Sequence, residues 1–275
     1  MRAQTTTRTG TTTSTVAAQP VRPSPLGLAR AQVRYAVTEY WRARLVLIFS
    51  LFIPLIWFLV IGALAGNEVL EGTGGLRVMQ FAAPVAISMG ALYAALPTTA
   101  TSLAHARETG VLKRLRGAPS PMWVYLLGRA VGASLFAFLS VLVVLVVAVV
   151  VHDVRVVGST LGATVLTLAL AVVCYVMVGL AIAALVPSAG TAQSLSIGAV
   201  VVLSFASGLF TGIGAPLPET VTRVAQLFPV KGVTDSLQDQ FNPFLSGVGV
   251  DWSTVAVLAA WSAAAAVVAR WGLGD

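Results

Sequence analysis

Residues 122–151 read MWVYLLGRAVGASLFAFLSVLVVLVVAVVV, and after a short turn residues 159–186 read STLGATVLTLALAVVCYVMVGLAIAALV. Within them, Val141–Val151 and Ala163–Val186 carry no charged residue. About 20 consecutive apolar residues suffice to cross the roughly 30 Å hydrocarbon core of a bilayer. A helix that is apolar on every side has no face to offer water. These two runs therefore make the chain an integral membrane protein. The composition agrees: 57% of residues are hydrophobic and 10% charged, with a mean hydropathy of +0.89. Ordinary soluble domains hold about 45–50% apolar and 25% charged residues.

Working outward, further apolar runs lie on either side. The expectation is an all-α membrane protein with six transmembrane helices at about 45–65, 81–104, 122–151, 159–186, 191–213 and 252–270, together forming one domain over 45–271. Pro54, Pro84 and Pro97 fall inside spans and read as kinks, since neighbouring helices can satisfy the freed backbone groups. Residues 1–25 form a Thr/Ser/Pro/Arg-rich tail without an acidic residue and read as disordered. The tail is rich in Arg and hydroxyls like a transit peptide but lacks its amphipathic pattern. Residues 26–44 differ: Leu26, Ala29, Val33, Ala36, Val37 and Tyr40 share one helical face, with Arg34, Glu39 and Arg42 away from it. That pattern suits an amphipathic helix lying in the membrane interface, in contact with lipid; a plain extension of the first span is the alternative.

The net charge of +7 invites a nucleic-acid reading, but the basic residues gather in short segments flanking the spans, so no nucleic acid is expected. With the N-terminus cytoplasmic, thirteen of the seventeen Lys and Arg residues fall on the inner side. The positive-inside rule then puts both termini in the cytoplasm. The lone cysteine, Cys174, lies mid-span and reads as a small buried residue.

Catalytic chemistry is missing. His105 and His152 fall at opposite membrane faces, so they cannot share a metal or serve one nucleophile. There is no Gly-Lys dipeptide, hence no P-loop on this chain. No acid lies deep in a span, which weakens a proton- or ion-coupled carrier. The expectation is no catalytic residue and no metal site.

Between the second and third spans runs the charged stretch Arg107-Glu-Thr-Gly-Val-Leu-Lys-Arg-Leu-Arg-Gly-Ala-Pro-Ser-Pro121. Val111, Leu112 and Leu115 form an apolar stripe with Lys113, Arg114 and Arg116 around it, Gly117 suits a C-terminal cap, and Pro119 and Pro121 stop the helix. The stretch reads either as a basic loop enforcing topology or as a docking knob for a soluble partner.

This stretch with Tyr125-Leu-Leu-Gly-Arg129 resembles the segment entering the third span of ABC-2 type transporter permeases. Ser207-Gly-Leu-Phe, Pro216-Leu-Pro and Leu227-Phe-Pro-Val-Lys-Gly-Val-Thr-Asp-Ser-Leu237 are similar to that family's outer segment after the fifth span. The resemblance covers about Tyr40 to Arg270. Ala106, Phe228 and Gln238 depart from the family, which often has an acid, an Asn and an Arg there. The resemblance implies a coupling helix over 106–117, with Arg107, Glu108, Gly110, Leu112, Lys113, Arg114, Leu115, Arg116 and Pro119 as ATPase-coupling residues. It also implies short re-entrant helices over 214–250, marked by Pro216, Pro218, Pro229 and Lys231, where composition alone equally allows a plain outer loop. The implied partners are ABC-type nucleotide-binding ATPase subunits, which hold ATP and Mg, and a second permease, identical or not. The implied location is a bacterial cytoplasmic membrane, and the implied activity is export, including multidrug efflux.

A charge-free path suits a hydrophobic or amphiphilic cargo such as a drug, lipid or natural product. Met89, Tyr93 and Thr98 of the second span and Ser204, Phe205, Phe210 and Thr211 of the fifth are the candidate lining residues, unless they only pack between helices. Gly62/Gly66, Gly128/Gly132, Gly158/Gly162 and Gly208/Gly212 match G-x-x-x-G, a pattern of close helix contact. The competing readings are a secondary carrier or channel and a non-transporting anchor for a soluble partner.

Overall fold

The computed structural model describes residues 25–42, 44–66, 68–69, 75–116, 122–206 and 219–274. The tail 1–24, the Pro119 helix stop, Phe210, Thr211, Pro216, Pro218 and the Gly208/Gly212 pair lie outside them. The chain runs α1 (Pro25–Arg42), α2 (Arg44–Ala65), α3 (Val78–Glu108), α4 (Val111–Arg116) and α5 (Met122–His152). A 3₁₀ turn, Gly158–Thr160, leads into α6 (Leu161–Leu185), followed by α7 (Ala189–Ala206), α8 (Glu219–Ala225), α9 (Pro229–Phe241) and α10 (Trp252–Gly274). Among the described residues the only strand-like pairing is an isolated bridge, Val69 with Arg77.

Among the described residues four helices are long and apolar enough to cross a membrane: α3, α5, α6 with its 3₁₀ lead-in, and α10. Two shorter apolar stretches, Ser50–Ala65 of α2 and Ala189–Phe205 of α7, match the first and fifth predicted spans. The helices differ in what surrounds them. The α3 window is 89% buried with a mean hydropathy of 1.5, whereas the α5 window is 33% buried with 3.1. A helix facing lipid needs large aliphatic side chains, while one enclosed by protein needs small residues that let neighbours approach. Hence α3 is rich in Ala, with Ser, Thr and Gly among larger buried residues such as Met89 and Leu92, and packs against α2, α5, α6, α7 and α9. At Gly179 of α6 the backbones come close: an added Cβ would stand 2.7 Å from the Leu96 carbonyl of α3. Both Pro84 and Pro97 lie within α3, which stays helical through them.

α1 lies along the first half of α5 rather than standing alone. Ala36 and Tyr40, from the expected apolar face, are buried, while Tyr35 and Trp41 are exposed. Two glycines explain the fit. A Cβ on Gly128 would stand 2.6 Å from the Gln32 Cβ, and one on Gly132 would stand 2.9 Å from the Ala36 Cβ. Of the paired glycines, these two do bring helices together, joining α1 to a span. Gly158 and Gly162 have no neighbour within 4 Å. Around the seam, Arg129 of α5 is 5% exposed and pairs with Glu39 of α1 at 2.9 Å. It also donates to the Tyr125 hydroxyl at 3.0 Å. The Tyr40 hydroxyl shares a 3.2 Å hydrogen bond with Ser102 of α3, and burial pushes that phenol's pKa up.

Gly128→Leu should pry α1 off α5. Overpacking of this kind costs about 1–3 kcal/mol, so thermal unfolding in detergent should occur measurably below wild type. An unchanged midpoint would mean that α1 is not held by this seam.

Candidate functional site

The end of α3 that bears α4 carries the densest set of charged candidates. At 1.5 Å per residue, 31 residues make α3 about 46 Å long, well beyond a 30 Å hydrocarbon core. Its last turn therefore projects beyond the apolar layer. The helix stops when the Thr109 hydroxyl and amide both donate to the His105 carbonyl, at 2.7 and 2.9 Å. Gly110 follows at φ +72, a left-handed conformation that only glycine adopts without strain. The chain then turns into α4. The expected single helix over 106–117 is thus split: Arg107 and Glu108 complete α3, and the coupling-type helix is the six-residue α4. The reason is Gly110, whose freedom serves as a joint.

The apolar stripe of α4 faces inward: Leu112 is 6% exposed, and Val111 and Leu115 pack partly buried against the core. Lys113 and Arg114 are exposed. A short amphipathic helix is therefore seated on the bundle with its cationic face outward; the Arg116 side chain lies outside the described residues.

Arg107 and Glu108 turn elsewhere. The Arg107 guanidinium donates to the carbonyl of Ala184 at 2.8 Å, with longer approaches to Ala183 and Val186 at 3.3 and 3.4 Å. These are the open carbonyls at the C-terminal end of α6. Glu108 accepts the amide of Ala189, the first residue of α7, at 3.1 Å. A cation thus meets the negative end of one helix dipole and an anion the positive end of the next. Two adjacent side chains of α3 clamp the α6–α7 turn. Sequence reasoning assigned both residues to partner contact and missed this intramolecular role.

The other end of the bundle is tied by polar side chains. Gln80 of α3, 8% exposed, donates to the carbonyls of Phe241 at 2.7 Å and Arg155 at 2.8 Å, and accepts the Arg155 amide at 2.8 Å. α9 plugs against α3, α6 and α10 through Val230, Val233, Leu237 and Phe241. Its Thr234 donates to Ser88 at 3.0 Å, and its Gln240 to Thr167 at 3.2 Å. Pro229 opens α9 where its missing N–H costs nothing, and Lys231 pairs with Asp235 one turn on. The segment expected as re-entrant thus holds two short helices, α8 and α9. Asp251 caps α10, accepting the Ser253 amide at 3.0 Å and the Thr254 hydroxyl at 2.6 Å. Partial burial opposes its ionisation, but these hydrogen bonds outweigh it and hold the carboxyl below the usual carboxylate range.

The residues expected along a substrate path divide. Met89, Thr98 and Ser204 are buried among the described residues. Tyr93 is half-buried, with Ser204 facing its hydroxyl across the α3–α7 seam; Phe205 is exposed. Sequence reasoning also missed the Glu39–Arg129 pair and the Gln80 knot. An arginine seven residues into an apolar run was a usable signal for the first, because such a charge demands a partner. Gln80 carried no comparable signal. Among the described residues no group of His, Cys, Asp and Glu could hold a metal ion.

The apolar helices, their lipid-facing side chains and the enclosed small-residue axis define a multi-pass membrane protein. Residues 28–241 match the family model described as ABC-2 type transporter. The chain belongs to that family, whose members are transport subunits without a catalytic site of their own and work with an ABC ATPase. No curated protein matches the chain.

Two outcomes test this geometry. Removing either half of the clamp, Arg107→Ala or Glu108→Gln, forfeits a helix-dipole interaction of about 0.3–1 kcal/mol. Amide hydrogen exchange around residues 184–191 should then accelerate about two- to fivefold; unchanged exchange would show that the clamp holds nothing. For Asp251, a folded-state pKa below the unfolded value means that its stabilisation is present above the ordinary carboxylate range. It is lost as the pH falls through the lowered value. Thermal stability should drop on acidification in the wild type, and Asp251→Asn, which still caps, should remove that share of the pH dependence. An identical acid profile in the variant would refute the assignment.

Proposed function

We propose that the chain is the transmembrane permease subunit of an ATP-binding cassette exporter, moving a hydrophobic or amphiphilic substrate out across a bacterial cytoplasmic membrane. On this reading α2 and α7 complete six spans, both termini are cytoplasmic, and α8 and α9 are re-entrant helices of the outer leaflet. Two permeases pair around a central path, and two separate ATPase subunits, which hold ATP and Mg, press on the α4 helices from the cytoplasm. Met89, Tyr93, Thr98, Ser204 and Phe205 border that path when the α3–α7 seam opens. Drugs, lipids and natural products are the cargo classes that suit so few charges, and multidrug efflux is the corresponding activity.

One observation carries the reading: α4 is seated by Leu112, leaves Lys113 and Arg114 exposed, and joins through Gly110 to the most enclosed helix of the bundle. A helix that merely enforced topology would need charge but no seated apolar ridge. A docking knob needs both: the ridge fixes the helix, and the cations meet an acidic cleft. A rocking ATPase could then drive a rigid-body switch of packed helices.

The charge reversal Lys113→Glu with Arg114→Glu should leave insertion and folding intact, since both side chains are exposed. Like-charge juxtaposition at an interface costs several kcal/mol, so co-purification with the ATPase and ATP-driven export should each fall more than tenfold. Undiminished ATPase association would sink the proposal.

A further inference from the structure

Away from the clamp, the α4 end of the bundle holds a groove of about 710 Å³ between α5, α6 and α10. Leu126, Val131, Val176 and Leu180 form its walls, and Trp123 and Arg270 stand at one end. Its origin lies in how the three helices are committed. α10 is drawn tightly onto α6, where a Cβ on Gly272 would stand 2.7 Å from the Ala184 carbonyl. α5 is held instead by α1 and α3 and meets α6 only lightly. A wedge opens between them.

The wedge has the dimensions of one leaflet. Along α5 it extends from Trp123 to Ser134, which at 1.5 Å per residue is about 17 Å, close to half of a 30 Å hydrocarbon core. Its walls are apolar, and an empty apolar cleft forfeits dispersion contacts on every side, so in a bilayer an acyl chain belongs there. Its polar end is equally specific. Trp123 is 56% exposed, as an indole at the headgroup boundary would be. Arg270, which also lines the groove, is exposed, and no salt bridge to it is found among the described residues. A guanidinium at the rim of an apolar slot matches a phosphate in charge and in forked hydrogen-bond geometry.

We propose that this groove binds an anionic phospholipid of the leaflet on the α4 side, with one acyl chain between α5, α6 and α10 and the phosphate on Arg270. The site is separate from the α3–α7 seam and from α4, so it stands whatever the transported cargo and whether or not an ATPase docks. Its lipid would seal α5 to the α6–α10 pair at the point where the helices themselves do not meet.

The test uses the full chain in nanodiscs, with quenching of Trp123 read as the difference between wild type and Trp123→Phe. Phosphatidylglycerol and phosphatidylcholine, each with brominated acyl chains, are the probes. One basic residue at a membrane surface supports about a fivefold preference, so the anionic lipid should quench at about a fivefold lower mole fraction. Arg270→Gln should bring the two lipids to parity, whereas Arg270→Lys should retain the preference. Ala266→Phe, at an exposed position in the groove, should abolish quenching by both. Parity in the wild type overturns the proposal, as does a preference that survives Arg270→Gln. It is likewise overturned if neither lipid quenches while Ala266→Cys forms a disulfide between two chains, because a second copy then fills the groove. Should Ala266→Phe fail to fold, the Arg270→Gln and Arg270→Lys pair still decides the question.

Discussion

Enclosure of α3 by five other helices is the constraint on which the remaining architecture depends. Within a bilayer no hydrophobic force drives one helix onto another, because lipid tails are as apolar as leucine. What holds α3 in place is contact at close range, which small residues permit at several of its seams. Gly90 faces Ser140 of α5, Gly179 faces the α3 backbone, and Ala83, Ala86, Ala94 and Ala100 are fully buried. The lipid-facing duty passes to α5 and α10, which carry exposed Leu, Val and Trp side chains. The contrast in hydropathy between α3 and α5 thus reflects enclosure by protein against exposure, whereas α10, with a mean hydropathy of 1.7 and 22% burial, shows that an exposed helix can also be rich in small residues.

Polar groups do the work that close packing leaves undone. A charge or amide within such a bundle is costly unless every hydrogen-bonding atom finds a partner. Gln80 satisfies this with two donated bonds and one accepted bond. Arg129 is balanced in charge by Glu39 and donates to Tyr125, and Arg107 donates to the carbonyls that end α6. Each joins elements far apart in sequence. α1 is fastened to α5, α9 to α3, and the α6–α7 turn to the end of α3. The fold is therefore apolar in composition but pinned at a few polar points.

How much of this was legible follows from the range of each signal. The six apolar stretches and the amphipathic α1 were readable because hydrophobic periodicity is local. The glycine pair 128/132 was readable as a close contact, but not its partner, since nothing in residues 128–132 names residues 32–36. The break between α3 and α4 was not readable, because charge pattern alone does not reveal that Gly110 adopts a positive φ. The clamp was hidden for a deeper reason: Arg107 and Glu108 look like solvent-facing charges until the fold brings two helix ends within 3.1 Å of them. That Met89, Thr98 and Ser204 are buried between helices is a tertiary fact beyond any local pattern.

Fixing both ends of a long helix has a mechanical consequence. α3 is held at Gln80 to α9 and to the segment before α6, and at Arg107 and Glu108 to the α6–α7 turn. A displacement applied at its α4 end cannot be absorbed by that end alone, because the clamp carries α6 and α7 with it. α10 follows α6, to which it is sealed at Gly272. α5 is the exception, being bound to α1 and α3 but scarcely to α6. If α4 is pushed from the cytoplasm, as proposed, the motion therefore divides the bundle between two groups of helices, α1 with α5 and α6 with α7 and α10. The axis α3 is shared by both. The groove between α5 and α6 marks where those groups part, which makes it the place where a tightly held lipid would bear most directly on the ease of the transition.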